Sequence, residues 1–315
     1  MNKKKIACML FNLSTASLSY DELKNYDNDT FFAPNAVNSF KKWNPEVDTF
    51  YLDDNGFKEM LKDLNITEFY DNVGVVRIHV IKELMKQRGY TKCIMLGIDT
   101  FTCARLDEFL DDDVTDMICS AGPPYSFIKT DYWSPPIVEF NYNNQIHHDV
   151  AFINADVVCI NNAEMAELLY NKSIEYWSNH AEQGGMNWCY SNQDSLGVKV
   201  SIVDFPYLTS KVSYNVRSKG DACGGYQMIK GKVLSGRGGQ VISNIYPTSE
   251  YSVINNKLFT KDGKQIKVFH YAEGLGFRTD KDEQTYEEAV YEMKTMWFNK
   301  ETIDFLEKEC GCNFK

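Results

Sequence analysis

Short, nearly uninterrupted apolar runs separated by a helix-spaced segment constrain this chain more than any other feature. Residues 5–11 and 93–96 carry almost no polar side chain, as expected for strands covered on both faces rather than on one. Between them, Val73, Val76, Val80, Ile81 and Leu84 recur at helical spacing, with Asp71 or Asn72 placed to cap and Gly89 placed to stop the helix. Further strands are predicted at residues 47–52, 117–121, 151–160, 198–203 and 264–271. Helices are predicted at 36–43, 163–170, 174–190, 285–297 and 300–310. Strand–helix alternation of this kind specifies an α/β fold: a mixed, mostly parallel central sheet flanked by helices. Residues 220–263 are rich in Gly, Asn and Ser and read as hairpins and loops, with Asp262-Gly263 as a turn signal. A Pro- and aromatic-rich excursion through Pro123-Pro124-Tyr125 and Trp133 to Pro136 is expected to border a cleft. No repeat or linker interrupts the chain, so residues 1–315 are read as one domain, with a core at about 5–280 and a helical end at about 284–312.

A net charge of −11 argues against a nucleic-acid backbone as the main partner, because phosphate tracking needs clustered Lys and Arg. A nucleotide needs only a local site and is not excluded. Nine cysteines show no CxxC pair or His–Cys spacing. Cys8, Cys93, Cys119 and Cys159 sit in apolar runs and read as small buried hydrophobes. The Cys310-Gly-Cys312 pair reads as an inert tail rather than a soft-metal site. Lys3, Lys4 and Lys5 precede an apolar stretch broken at Asn12, which reads as a first strand and not as a signal peptide. No stretch approaches the ~20 apolar residues of a membrane span. A soluble protein of a reducing, cytoplasmic compartment is the expectation.

Four segments carry candidate chemistry. In IMLGIDT (94–100), Asp99 lies where ligands of open α/β sheets bind, beyond the carboxyl end of a strand. It reads either as a hard-cation ligand or as a cap for a helix beginning at Leu106. In FINAD (152–156), Asp156 interrupts an apolar strand and must be hydrogen-bonded or face a polar site. In EQGGMN (182–187), Gln183 and Asn187 share a helical face, and Glu182 suits the positive end of the helix. In FHYAEG (269–274), His270 follows a strand and precedes a glycine turn. His147 and His148 read as a solvated loop, and His79 as helix surface.

These segments resemble, in order, those of nucleotide-sugar glycosyltransferases of the GT-A fold. Family-eight enzymes, which include glycogenin and bacterial lipooligosaccharide galactosyltransferases, are the nearest pattern. Residues 94–100 resemble the "(I/V)-x-L-D-x-D-T" strand end, with Gly97 where the first aspartate of the DxD motif is expected and Asp99 at the second. Asn154 matches the sugar-contacting Asn of "F-N-x-G-V", while Asp156 stands in place of Gly. Residues 182–187 resemble "(D/E)-Q-x-x-L-N", and residues 270–274 the late "H-x-x-G" segment.

The resemblance implies a metal site of Asp99 and His270 holding Mn²⁺ or Mg²⁺. It implies donor contacts from Arg77, Asp99, Gly274 and Arg278, and catalytic roles for Glu182, Gln183, Asp156 and Asn154. The implied reaction moves a hexose-type sugar from a nucleotide-diphosphate donor to a glycan or other hydroxyl acceptor, with retention of configuration. Two other classes remain: an inactive nucleotide-sugar-binding module on the same fold, for which Gly97 argues, and a metal-dependent phosphatase or nuclease. The second needs dense acidic clusters, and Asp111-Asp112-Asp113 is the dense run. Arg217, Lys219 and the Ser235–Gly239 loop are further phosphate candidates, although the glycines there also suit hairpin turns.

Overall fold

The first apolar run forms β1 (Ile6–Phe11), with all six residues buried. It lies between two parallel partners, β2 (Asp48–Leu52) and β3 (Lys92–Gly97). A computed structural model describes residues 4–13, 32–67, 72–98, 100–121, 137–142, 145–150, 153–175, 181–203, 208–211, 226–229, 232–235, 241–242, 251–259, 263, 265–271 and 298–314. For residues 121, 137–142, 145–150, 154, 203, 208–211, 226–229, 232–235, 241–242 and 270–271 it describes the backbone alone.

Before β3 come α1 (Phe32–Trp43), α2 (Asp54–Asp63) and α3 (Val73–Arg88), and after it β4 (Thr100–Thr102), α4 (Asp107–Leu110) and β5 (Met117–Ala121). An antiparallel pair, β6 (Ile137–Tyr142) and β7 (Gln145–Val150), leads to β8 (Ile153–Ile160). Helices α5 (Ala163–Glu175), α6 (Ala181–Ser191) and α7 (Gln193–Leu196) precede β9 (Val200–Val203). Short strands follow: β10 (Leu208–Lys211), β11 (Tyr226–Ile229), β12 (Lys232–Ser235), β13 (Val241–Ile242), β14 (Ser252–Ile254), β15 (Lys257–Phe259) and β16 (Val268–Tyr271). The last helix is α8 (Lys300–Glu309).

The central sheet has the order β2-β1-β3-β8-β5-β9. Its pairings are parallel except where β8 lies antiparallel between β3 and β5. This is the mixed, mostly parallel sheet flanked by helices that the sequence implies, with the GT-A arrangement. The pleat sends alternate residues to two cores. Ala7, Met9, Phe11, Cys93, Met95, Val158 and Ile160 pack against α3, α5 and α6. Cys8, Leu10, Ile94, Leu96, Val157 and Cys159 face α1 and α4. This two-sided burial explains why β1 and β3 show no polar alternation.

Helix α3 starts where Asn72 Oδ1 accepts from the Gly74 N–H at 2.8 Å, and it ends at Gly89, whose φ of +68° is left-handed. It is buried on more than the face that its apolar spacing suggests, since α5 and α6 pack against it as well as the sheet. His79, expected on the surface, is therefore only 7% exposed. Its ring centroid lies 4.5 Å from that of Tyr170 on α5. His147 and His148 are likewise not in a loop: both are paired residues of β7.

A smaller sheet, β10-β16-β4, lies beside the main one. Here β16 runs parallel to β10 and antiparallel to β4, with Thr100 opposite His270. An aromatic cluster holds this sheet to the chain end. Phe269 lies 6.3 Å from Phe101, 6.1 Å from Tyr251 and 4.7 Å from Phe298, centroid to centroid. Cys310 and Cys312 are buried beside it, and Trp43 Nε1 donates to Cys310 Sγ at 3.5 Å. The tail is thus part of the packed interior.

The hairpin expectation for the Gly- and Asn-rich region holds among the described residues. There β11, β12 and β13 pair antiparallel, and β14 turns into β15 through Asn255 and Asn256, both at positive φ. The helix expected at 285–297, the excursion at 123–136, Arg217, Lys219 and residues 236–239 lie outside the described residues. Among the described residues no helix is long and apolar enough to cross a membrane.

Removing the ring of Phe269 empties the centre of the aromatic cluster. Phe269→Ala is expected to cost about 3–5 kcal/mol of folding free energy, measured by urea unfolding, and a cost near zero would show that the small sheet does not depend on this cluster.

Candidate active site

Three site residues predicted from sequence meet where the carboxyl ends of β1 and β3 face the amino ends of α3 and α6. Arg77 lies one turn into α3, and its guanidinium carbon sits 5.6 Å from the centre of the Phe11 ring, the last residue of β1. Its Nη1 lies 3.5 Å from Glu182 Oε1, while its buried Nε meets no hydrogen-bond partner among the described residues. Glu182 is the second residue of α6 and is 9% exposed. The residue before it, Ala181, is fully buried with a φ of +30°. A side chain in this region is uncommon and costs energy, and here it turns the chain into α6 so that Glu182 faces α3.

Asp156 reaches the same place from β8 through a bulge. Cys119 of β5 pairs with Val158, but the next residue, Ser120, pairs with Asn154. Ala155, Asp156 and Val157 thus lie opposite no residue of β5. Such a bulge bends the strand and re-aims its side chains. It leaves Asp156 half-buried and within electrostatic reach of Glu182. On its other side β8 follows β3 as far as Leu96 opposite Val157; the residues that come next are Gly97 and Asp156. The strand end lacking a carboxylate at Gly97 therefore adjoins a strand carrying one.

Burial pushes the Glu182 carboxyl above the usual glutamate range. The Arg77 charge and its own backbone N–H act against this, and the Asp156 charge reinforces it.

Asn187, read as sharing a helical face with Gln183, has a structural task. Its Oδ1 accepts from Ile153 N at 2.9 Å, and its Nδ2 donates to Ile153 O at 3.3 Å and to Gln183 O at 2.8 Å. The amide clamps the first residue of β8 to α6. Gln183 itself is half-buried. The backbone of Asn154 pairs with Ser120.

His270 and the Asp99 segment meet at the level of backbone register. Thr100, which follows Asp99 in sequence, is opposite His270, and its Oγ1 donates to Gly97 O at 2.7 Å. Asp99, Gly274 and Arg278 lie outside the described residues. Among the described residues no group of three or more His, Cys, Asp or Glu could hold a metal ion.

The acidic run 111–113 is engaged elsewhere. Asp111 pairs with Arg105 at 2.9 Å, Asp112 accepts from the backbone of Val114 and Thr115, and Asp113 pairs with Lys4 and Lys92. That removes the motive for a phosphatase or nuclease reading. A cavity of about 350 Å³ lined by Asp116, Asn162 and Glu164 lies near the other end of β8, at the start of α5. The Asp116 oxygens there accept from Asn162 Nδ2 at 2.6 Å and Lys199 N at 2.7 Å.

Sequence reasoning missed Phe11, Gly74 and Ala181. Gly74 alone left a signal, as a glycine in the first turn of a helix that already had a cap.

No protein-family model matches the chain, and no curated protein matches it. Solved structures do. An active-site mutant of LgtC is 11% identical, with a TM-score of 0.47 over 95% of this chain and 99% of that one. The bifunctional glycosyltransferase WbbM is 12% identical, with a TM-score of 0.44 over 97% of this chain and 51% of that one. GlyE of Streptococcus pneumoniae TIGR4 is 12% identical, with a TM-score of 0.37 over 65% of this chain and 46% of that one. The chain thus spans about half the length of WbbM and of GlyE. These scores lie below 0.5, so function is argued from the residues of this chain.

An acid whose folded pKa is raised binds its proton more tightly in the folded protein. Wild-type stability should therefore fall as pH rises past the ordinary glutamate value of about 4.3, and level off above the folded value. Glu182→Gln lacks this contribution. Its Tm relative to wild type should rise across that window in a pH series of thermal melts, and identical slopes would show that burial does not raise the carboxyl.

Proposed function

We propose that this chain is a glycosyltransferase that moves a hexose-type sugar from a nucleotide-diphosphate donor to a hydroxyl of a glycan or other acceptor. The observation that carries the reading is the pairing of half-buried Arg77 with buried Glu182 at the carboxyl end of the sheet, with Asp156 in electrostatic reach. Ligands of open α/β sheets bind at that end. A charged pair taken out of water there is costly to keep unless polar groups are needed in that place.

In this reading Arg77, Glu182 and Asp156 receive the sugar. Its hydroxyls donate to the two carboxylates, and the guanidinium keeps Glu182 oriented. As the bond from the anomeric carbon to the diphosphate breaks, positive charge builds on the ring, and fixed carboxylates favour that charge more than they favour the ground state. Gln183 and Asn154 would supply amide contacts, and Gly274 and Arg278 would contact the diphosphate.

In this reading Asp99 and His270 would hold a divalent cation; the register of the small sheet supports it only to the extent that Thr100, the residue after Asp99, is opposite His270. A carboxylate oxygen suits either Mn²⁺ or Mg²⁺, and an imidazole nitrogen beside it favours the softer Mn²⁺. When bound, such an ion offsets the negative charge of the departing diphosphate. The need is plain from charge alone: with Glu182 and Asp156 ionised, Arg77 leaves the sugar site with a net negative charge before a diphosphate arrives.

Gly97 favours a second reading, an inactive nucleotide-sugar-binding module, since it withholds one expected carboxylate. The two are separated by a nucleotide-sugar panel followed by thermal shift and by donor hydrolysis, each with and without Mn²⁺. Binding with turnover supports the transferase, and binding without turnover across the panel supports the module. The eight described cysteines are free thiols, which suits the cytoplasmic setting of the proposal.

Asp99→Ala and His270→Ala should each abolish Mn²⁺-dependent donor turnover while leaving the circular-dichroism spectrum and Tm close to wild type. Full activity in both would remove the metal assignment.

A further inference from the structure

The first turn of α3 contains a glycine that backbone conformation does not require. Gly74 is inside the helix, and its φ is not among the left-handed ones. Its N–H donates to Asn72 Oδ1, a bond that any residue with an N–H could make. On propensity alone alanine would be favoured here, because glycine loses more backbone freedom on folding.

The space tells otherwise. A Cβ built on Gly74 would lie 1.5 Å from Glu182 Oε2, 2.4 Å from Cδ and 2.9 Å from Oε1. The three atoms of the carboxylate occupy the volume that any side chain at position 74 would take. The same carboxylate is nine-tenths buried and faces Arg77, one turn further along α3. Behind Glu182, Ala181 is fully buried at positive φ, so relief at position 74 has to come from rotation of the Glu182 side chain, which carries the carboxylate away from Arg77. The amino end of α3 adds a favourable dipole for the carboxylate that rests on it.

We infer that Gly74 is a positioning residue for the sugar site: its missing side chain is the seat of the Glu182 carboxylate, which it holds beside Arg77. The sugar-binding part of this inference rests on the proposed transferase function, whereas the seating itself does not. Any side chain at 74 pushes the carboxylate out of the seat and opens the Arg77 pair.

Thermal melts of four proteins test the seating without any ligand: wild type, Gly74→Ala, Glu182→Ala and the double variant. In the wild-type background Gly74→Ala should lower Tm. In the Glu182→Ala background the seat is empty, and the same substitution should raise Tm by about 1–3 °C through helix propensity. That reversal of sign is the expected result, and the same sign in both backgrounds would overturn the inference. Should Gly74→Ala alone fail to fold, the double variant decides: a folded double melting above Glu182→Ala supports the seat, and a double that also fails refutes it.

Two further readouts separate positioning from plain packing. The pH slope of stability that depends on Glu182 should vanish in Gly74→Ala, since the displaced carboxyl reaches water, and an unchanged slope counts against the seat. In titrations with the nucleotide sugar identified by the panel, Gly74→Ala should bind at least tenfold more weakly, and Gly74→Ala with Glu182→Asp should recover part of the loss. Sign reversal in the melts with unchanged donor affinity would keep the seat and overturn the sugar reading instead.

Discussion

The architecture turns on β8, the strand that runs against its neighbours between β3 and β5. Both its faces are buried, so its register is set by two cores at once. The Asn187 amide ties its first residue to α6, standing in for a neighbouring strand by both accepting from and donating to Ile153. The bulge at residues 155–157 lies just beyond the end held in this way. The bulge in turn is what brings Asp156 out of register with β5 and towards Glu182. Strand pairing, helix docking and the placement of a carboxylate are one problem here, solved by one strand.

The site shows how a fold can keep charge in a place that opposes it. Glu182 loses water, and burial alone would favour its neutral form. Arg77 opposes that tendency, and Asp156 works with burial. The resulting balance is local: one guanidinium, two carboxylates and an aromatic ring beneath the cation. Elsewhere the acidic residues are engaged in ordinary ways. Those at 111–113 bind lysines, an arginine and backbone amides at the exposed surface, where such contacts contribute little. The same residue types thus serve different ends, according to how much water surrounds them.

Much of the fold was legible because its signals are local. Apolar runs without alternation marked β1 and β3, an Asn cap and a Gly stop marked α3, and a stretch rich in Gly, Asn and Ser marked the hairpins. Errors came where burial depended on a distant partner. His79 read as surface because its own helix gave no reason to bury it; Tyr170 of α5, far away in sequence, supplied the reason. His147 and His148 lack a strand-like pattern, yet pairing with β6 makes them part of a strand. Asn187 was legible only as sharing a helical face with Gln183; that its amide binds the backbone of Ile153 needed the fold.

The sequence by itself determined the α/β class, the mostly parallel sheet, the ends of α3 and the acidic and basic candidates, since these follow from periodicity, capping and residue chemistry. Only the tertiary structure decided which candidates meet. Arg77 and Glu182 are more than a hundred positions apart, and a contact of 3.5 Å between them depends on how α3 and α6 dock on the sheet. The volume above Gly74 that the Glu182 carboxylate fills and the bulge that carries Asp156 are decided in the same way. Both are properties of packed surfaces, and a one-dimensional pattern does not encode the distance between surfaces that meet only after folding.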